Sequence, residues 1–174
     1  IPQWRKPGPP AWLFTSIKRI VCFGVGKGAL FFQHPHQHLG GAAVGKGKVG
    51  DGIKVEYAAM APSTFLRLEP ADTWHYGLAN RPRYCRDMSE EQILANLRSR
   101  RCFHGCGELE SLDRTDTAMK QGTNRLVRFE NFRRAVNEDS EWSASVVFHT
   151  FSNIGHEAIK AYADPVFVKY VVED

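Results

Sequence analysis

Apolar positions along the chain fall into short runs and short periodic stretches, with glycine, proline and charge between them. Residues 17–23 form a near-continuous apolar run bounded by glycine, the pattern of a strand buried on both faces of a parallel sheet. Residues 53–61 predict a second strand, ended by Pro62, and residues 144–151, rich in β-branched and aromatic side chains, a third. Residues 166–172 read as a closing strand after the break at Asp164-Pro165.

Helical spacing appears between these runs. Residues 89–101 carry an apolar stripe of Ile93, Leu94 and Leu97, with Asp87 and Glu90 in capping-box spacing and Arg98, Arg100 and Arg101 at the negative end of the dipole. Residues 124–136 place Leu126, Phe129, Phe132 and Val136 on one face, and residues 157–162 predict a short helix. Residues 108–122 are polar and read as a loop. Strand and helix thus alternate, which predicts a single Rossmann-like α/β domain with a largely parallel sheet over residues 17–174. Residues 1–16, with Pro2, Pro7, Pro9 and Pro10, read as an extended proline-rich arm, in which Trp4 and Trp12 either pack on the domain or grip a protein partner.

Composition narrows the function classes. The net charge of +4 is mild and no five Lys/Arg are consecutive, so the concentrated basic surface of a nucleic-acid binder is missing. The apolar runs fall far short of the roughly 20 residues that span a bilayer, which excludes a membrane-spanning helix. Four cysteines are sparse for a disulfide-stapled secreted domain, which favours reduced thiols and an intracellular compartment. The start at Ile1 is read as that of a processed or trimmed product.

Candidate chemistry concentrates just after the first strand. Gly24-Val25-Gly26-Lys27-Gly28-Ala29 fits a loose dinucleotide fingerprint, in which Gly24, Gly26 and Gly28 would let a pyrophosphate approach backbone N–H groups. Pro35 falls where the following helix should run, and the acidic residue expected about 20 positions on is absent. His34, His36 and His38 alternate, so an extended backbone would project all three from one face, where three imidazoles can hold zinc with one position open. Cys102 and Cys106, with His104 and Cys85, carry a second zinc reading against the alternative of unpaired structural cysteines, and Trp74, His75 and Tyr76 either line a surface pocket or cap the core.

Three resemblances attach to these residues. The histidine run resembles the alternating signature of the histidine-triad nucleotide hydrolases, with Pro35 and Gln37 where apolar residues separate the histidines there. It is also similar to the His-x-His-x-Asp-His-x-Gly-Gly motif of metallo-β-lactamase-like hydrolases, without its aspartate. Residues 17–26 with Gln37-His38-Leu39, and then Ser145-Val146-Val147-Phe148 with Asp164-Pro165-Val166-Phe167, resemble domains related to the plant protein "sensitivity to red light reduced". This last resemblance implies a Rossmann-like fold and a regulatory role.

The leading expectation is a non-catalytic regulatory or ligand-binding domain, a subunit of a larger assembly held through its arm. The alternatives are a metal-dependent hydrolase, with His34, His36 and His38 on zinc and Glu56 or Asp51 as base, and a nucleotide-binding enzyme at Gly24, Gly26 and Gly28. A small-molecule or nucleotide ligand is expected outside the carboxyl ends of the strands, near residues 24–28, 58–62 and 150–153.

Overall fold

A computed structural model describes residues 19–26, 54–62, 79, 88–111 and 116–173. Strands β1 (Arg19–Val25), β2 (Lys54–Met60), β3 (Cys102–Gly107) and β4 (Val146–Phe151) form one sheet in the order β1-β2-β3-β4, every pairing parallel. The helices are α1 (Glu90–Arg98), α2 (Asp116–Met119), α3 (Arg125–Asn137), α4 (Ser140–Ser143), α5 (Ala158–Tyr162) and α6 (Pro165–Val172). The expected α/β fold with a parallel sheet is the observed one.

The pleat sends alternate residues to opposite faces, and each face meets its own helices. One carries Cys106, Val146 and Phe148 against Ile93 of α1, Phe129, Phe132 and Val136 of α3 and Trp142 of α4. The other carries Val21, Ala58, Met60, Phe103, Val147 and Phe151 against Ala161 of α5 and Phe167 and Tyr170 of α6. Both faces are therefore covered, which is why the strands read as apolar runs and not as alternating patterns. A slip of one residue would exchange the two sets, so the register is strongly specified.

Three sequence expectations change here, the first being that Asp116–Met119, inside the stretch read as a loop, form helix α2. Residues 166–172 form helix α6 and not a strand: the β-branched run favours extension, but Asp164 caps the helix, accepting from the Val166 and Phe167 N–H groups at 2.8 and 3.4 Å, and Pro165 presets its first turn. Phe167 and Tyr170 then fall three apart on the face against the sheet, while Val168 and Val172 are exposed. The Cys102 to Cys106 segment is the fully buried strand β3. Cys22, Cys102 and Cys106 are free cysteines, and burial pushes the thiols of Cys102 and Cys106 up to about 12, so neither is a reactive thiolate. His104 on the same strand lies among Tyr57, Phe132 and Phe148, and burial pushes its pKa down to about 3, which keeps it a neutral core residue. Cys85 lies outside the described residues.

At the amino ends of the strands, Arg19 joins sheet to helix. Its guanidinium donates to Glu56 Oε2 at 2.8 Å and to the carbonyls of Tyr170, Val171 and Glu173 at 2.7, 3.0 and 3.2 Å, satisfying the last turn of α6 and its negative dipole end. Arg101 adds a second cation 3.4 Å from the same carboxylate oxygen and stacks over the Tyr170 ring. Burial pushes the Glu56 carboxyl up, but the hydrogen bond and charge of Arg19, the Tyr170 hydroxyl and the Arg101 charge outweigh it and hold the group below its ordinary value.

Candidate active site

A parallel sheet turns all its strands in one direction, so the loops that leave their carboxyl ends gather along one edge. Three of these loops meet. After β3 the chain continues through Gly107, Glu108 and Leu109 to Glu110; after β4 it runs through Ser152, Asn153, Ile154 and Gly155 to His156. The two loops are tied by backbone bonds from Glu108 N–H to the Phe151 carbonyl at 2.9 Å and from Leu109 N–H to the Ile154 carbonyl at 3.0 Å. The Glu108 carboxylate accepts from the Asn153 N–H at 3.0 Å, where Asn153 takes a left-handed φ of 56° that asparagine tolerates. Gly107 makes this approach feasible, because a Cβ there would stand 2.2 Å from the Ile154 carbonyl oxygen.

The tie brings a carboxylate to an imidazole. Glu110 is buried, and its Oε1 stands 2.7 Å from His156 Nδ1, while its Oε2 pairs with Arg125 Nη1 at 3.3 Å. Arg125 opens helix α3, and the same Nη1 is 2.6 Å from His156 Nδ1, so the three groups form one cluster. A carboxylate only accepts, so the Glu110 contact places the proton of the neutral ring on Nδ1. Were Arg125 to donate to Nδ1 instead, a buried anion and a lone pair would face each other at 2.7 Å. The assignment leaves the lone pair on Nε2, which lies 3.2 Å from Arg125 Nη1 and can accept from it, and the His156 side chain is 45% exposed where the Glu110 side chain is only 2%.

The third loop places Gly26 opposite that nitrogen. Gly26 follows β1 with φ +58°, its N–H donating to the Met60 carbonyl at 2.9 Å, and a Cβ built on it would lie 2.7 Å from His156 Nε2 and 3.0 Å from Cε1. The site therefore holds a buried acid, an imidazole oriented by it with Arg125 beside both ring nitrogens, and a backbone position in the left-handed region against Nε2. A ring oriented in this way by a carboxylate can take up a proton and return it to a leaving group.

The sequence candidates distribute unevenly over this geometry. Gly24 lies in β1 and Gly26 directly follows it, at the carboxyl edge where a ligand is expected, and what Gly26 faces there is the His156 ring from the loop after β4. Gly28 lies outside the described residues. His34, His36, His38 and Asp51, together with Trp74, His75, Tyr76 and the arm of residues 1–16, also lie outside them. Among the described residues, no group of three or more His, Cys, Asp or Glu is placed to hold a metal ion. Glu56, the other candidate base, stands four residues before the end of β2, about 13 Å down the strand at roughly 3.3 Å per residue, and is held by Arg19.

Two solved structures share this architecture. The poly(3-hydroxybutyrate) depolymerase from Bordetella parapertussis superposes with a TM-score of 0.66 at 14% identity, over 88% of this chain and 49% of that one. Poly(aspartic acid) hydrolase-1 from Sphingomonas sp. KT-1 superposes with a TM-score of 0.64 at 19% identity, over 87% of this chain and 54% of that one. Their likeness shows the fold, an α/β domain with a parallel sheet, and this chain spans about half the length of each. No family model matches the chain and no curated protein matches it.

These neighbours correct the functional expectation. A non-catalytic regulatory or ligand-binding domain, with metal binding as the candidate chemistry, does not agree with a fold whose structural neighbours are a depolymerase and a hydrolase. Sequence reasoning also missed Glu110, Arg125 and His156. Their signal lies in their places along the chain: an acid in the loop after one strand and a histidine in the loop after the next both fall at the carboxyl edge of a parallel sheet.

Proposed function

We propose that the chain is a hydrolase of acyl bonds, with His156 as general base and Glu110 as the residue that orients it. The observation that carries the reading is the 2.7 Å contact between buried Glu110 Oε1 and His156 Nδ1, which turns Nε2 toward the carboxyl edge of the sheet. The two structural neighbours act on a polyester and on a polymer of aspartic acid, which supports an ester or amide of a short carboxylic acid as the substrate class. His156 removes a proton from the attacking group as it bonds to the carbonyl carbon, and the imidazolium then protonates the departing alcohol or amine. Glu110 holds the ring in the required tautomer and stabilises the imidazolium as it forms.

The test is hydrolysis of p-nitrophenyl acetate and butyrate, of 3-hydroxybutyrate oligomers and of aspartate oligomers by the wild type and His156→Gln. The expected result is turnover above buffer that falls about 10²–10⁴-fold in the variant, the range for removal of a general base. Equal rates in the two proteins, with matching circular dichroism, would overturn the assignment.

A further inference from the structure

In the nucleophile elbow Gly-x-Ser-x-Gly, the serine sits on a sharp, strained strand-to-helix turn that exposes its hydroxyl at the top of the sheet. Here Gly24-Val25-Gly26-Lys27-Gly28 keeps that spacing, Gly26 keeps a left-handed φ of +58°, and its missing Cβ would lie 2.7 Å from His156 Nε2. The partners also keep their order, with Glu110 after β3 and His156 after β4. Position 26 thus stands directly beside the His156 ring, so close that a Cβ there would require the ring to shift, and it carries no side chain to act as nucleophile.

We infer that Gly26 occupies the nucleophile position of this site and that the attacking group there is a water molecule, so hydrolysis proceeds without a covalent acyl-enzyme. This rests on the hydrolase reading above. The water oxygen bonds to the carbonyl carbon as His156 Nε2 takes one of its protons. Collapse of the tetrahedral intermediate breaks the bond to the leaving oxygen or nitrogen, which receives that proton, and the products are the free acid and the alcohol or amine. A serine at position 26 would open the covalent route once the outer edge of the His156 ring shifts to admit its Cβ, since its hydroxyl would start in the strained conformation an elbow imposes, beside an imidazole able to take its proton.

Other serines and cysteines do not offer that geometry among the described residues. Cys102 and Cys106 are buried, with thiols pushed up to about 12. Ser152, at the same edge of the sheet, precedes the Asn153 turn, and neither its hydroxyl nor that of any other described serine makes a hydrogen bond to His156.

The experiment treats the wild type, Gly26→Ser, Gly26→Ala and Gly26→Ser/His156→Gln with a fluorophosphonate, which phosphonylates an activated serine with loss of fluoride, and reads intact mass, the labelled peptide and p-nitrophenyl acetate turnover. The expected result is no adduct and no pre-steady-state burst in the wild type or Gly26→Ala, and about one adduct per chain on position 26 in Gly26→Ser, at a rate reduced about 10²-fold or more without His156. Folding of each variant is read by its thermal melt. A wild-type adduct that abolishes turnover, or a wild-type burst near one per chain, would overturn the inference, and this arm holds whether or not the serine variant folds. A folded Gly26→Ser that turns over substrate but takes no label would also overturn it. Absence of wild-type turnover together with a labelled Gly26→Ser would instead defeat the hydrolase reading and leave the assignment of position 26 standing.

Discussion

The two ends of the sheet each hold a buried carboxylate beside arginine, and they use it differently. At the amino end, Glu56 receives Arg19 and Arg101, and Arg19 also donates to three carbonyls at the end of α6. The whole cluster cross-links β1, β2 and the last helix. At the carboxyl end, Glu110 receives Arg125 and a histidine that is nearly half exposed and faces a glycine. The same pairing of charges becomes a clamp where the cations end on buried protein acceptors, and a candidate site where the imidazole is nearly half exposed beside the backbone of Gly26.

The largest test of this contrast is Arg19→Met. Breaking a buried ion pair leaves the Glu56 charge without its closest partner, so urea denaturation should show a loss of about 3–5 kcal/mol while turnover per folded molecule stays unchanged. A fall in turnover with stability intact would mean that the ends are coupled and the contrast is wrong. Next is Glu110→Gln, which keeps the shape but removes the negative charge beside Arg125 and His156. Turnover should fall about 10²-fold or more, with a stability loss of about 1–3 kcal/mol. A loss of stability alone would make the carboxyl end a second clamp.

The smallest effect is a pH dependence. The Glu56 carboxyl titrates below its ordinary value of 4.5 in the folded state, so the unfolded chain binds its proton first as pH falls. Its stabilising contribution is complete above about pH 4.5 and is lost as pH drops through the lower folded value, with a slope of at most about 1.4 kcal/mol per pH unit. Glu56→Gln should remove that part of the acid sensitivity, measured as denaturation midpoints between about pH 5 and pH 3. An unchanged profile would show that Glu56 is not the group held by the clamp.

Legibility followed the range of the interactions. The strands near residues 17–23, 53–61 and 144–151 and the helix near 124–136 could be read because burial of a run or a stripe is written in neighbouring residues. Strand β3 escaped, since Cys102, His104, Gly105, Cys106 and Gly107 carry little intrinsic strand preference; all six of its residues are buried only because two strands and two helix layers enclose them. Helix α6 was read in reverse because its valines favour extension locally, whereas the Asp164 cap and the contacts of Phe167 and Tyr170 favour helix. In the histidine run, a dense local cluster drew attention that the separated pair of Glu110 and His156 did not.

By itself the sequence determined an α/β chain with a parallel sheet whose strands end along one edge, because hydrophobic period is a local property of the chain. Only the tertiary structure decided which residues share that edge. Glu110 and His156 are 46 residues apart and Gly26 is farther still, and they meet because successive parallel crossovers return each strand in the same direction, and because Gly107 admits the Ile154 carbonyl where any side chain would collide.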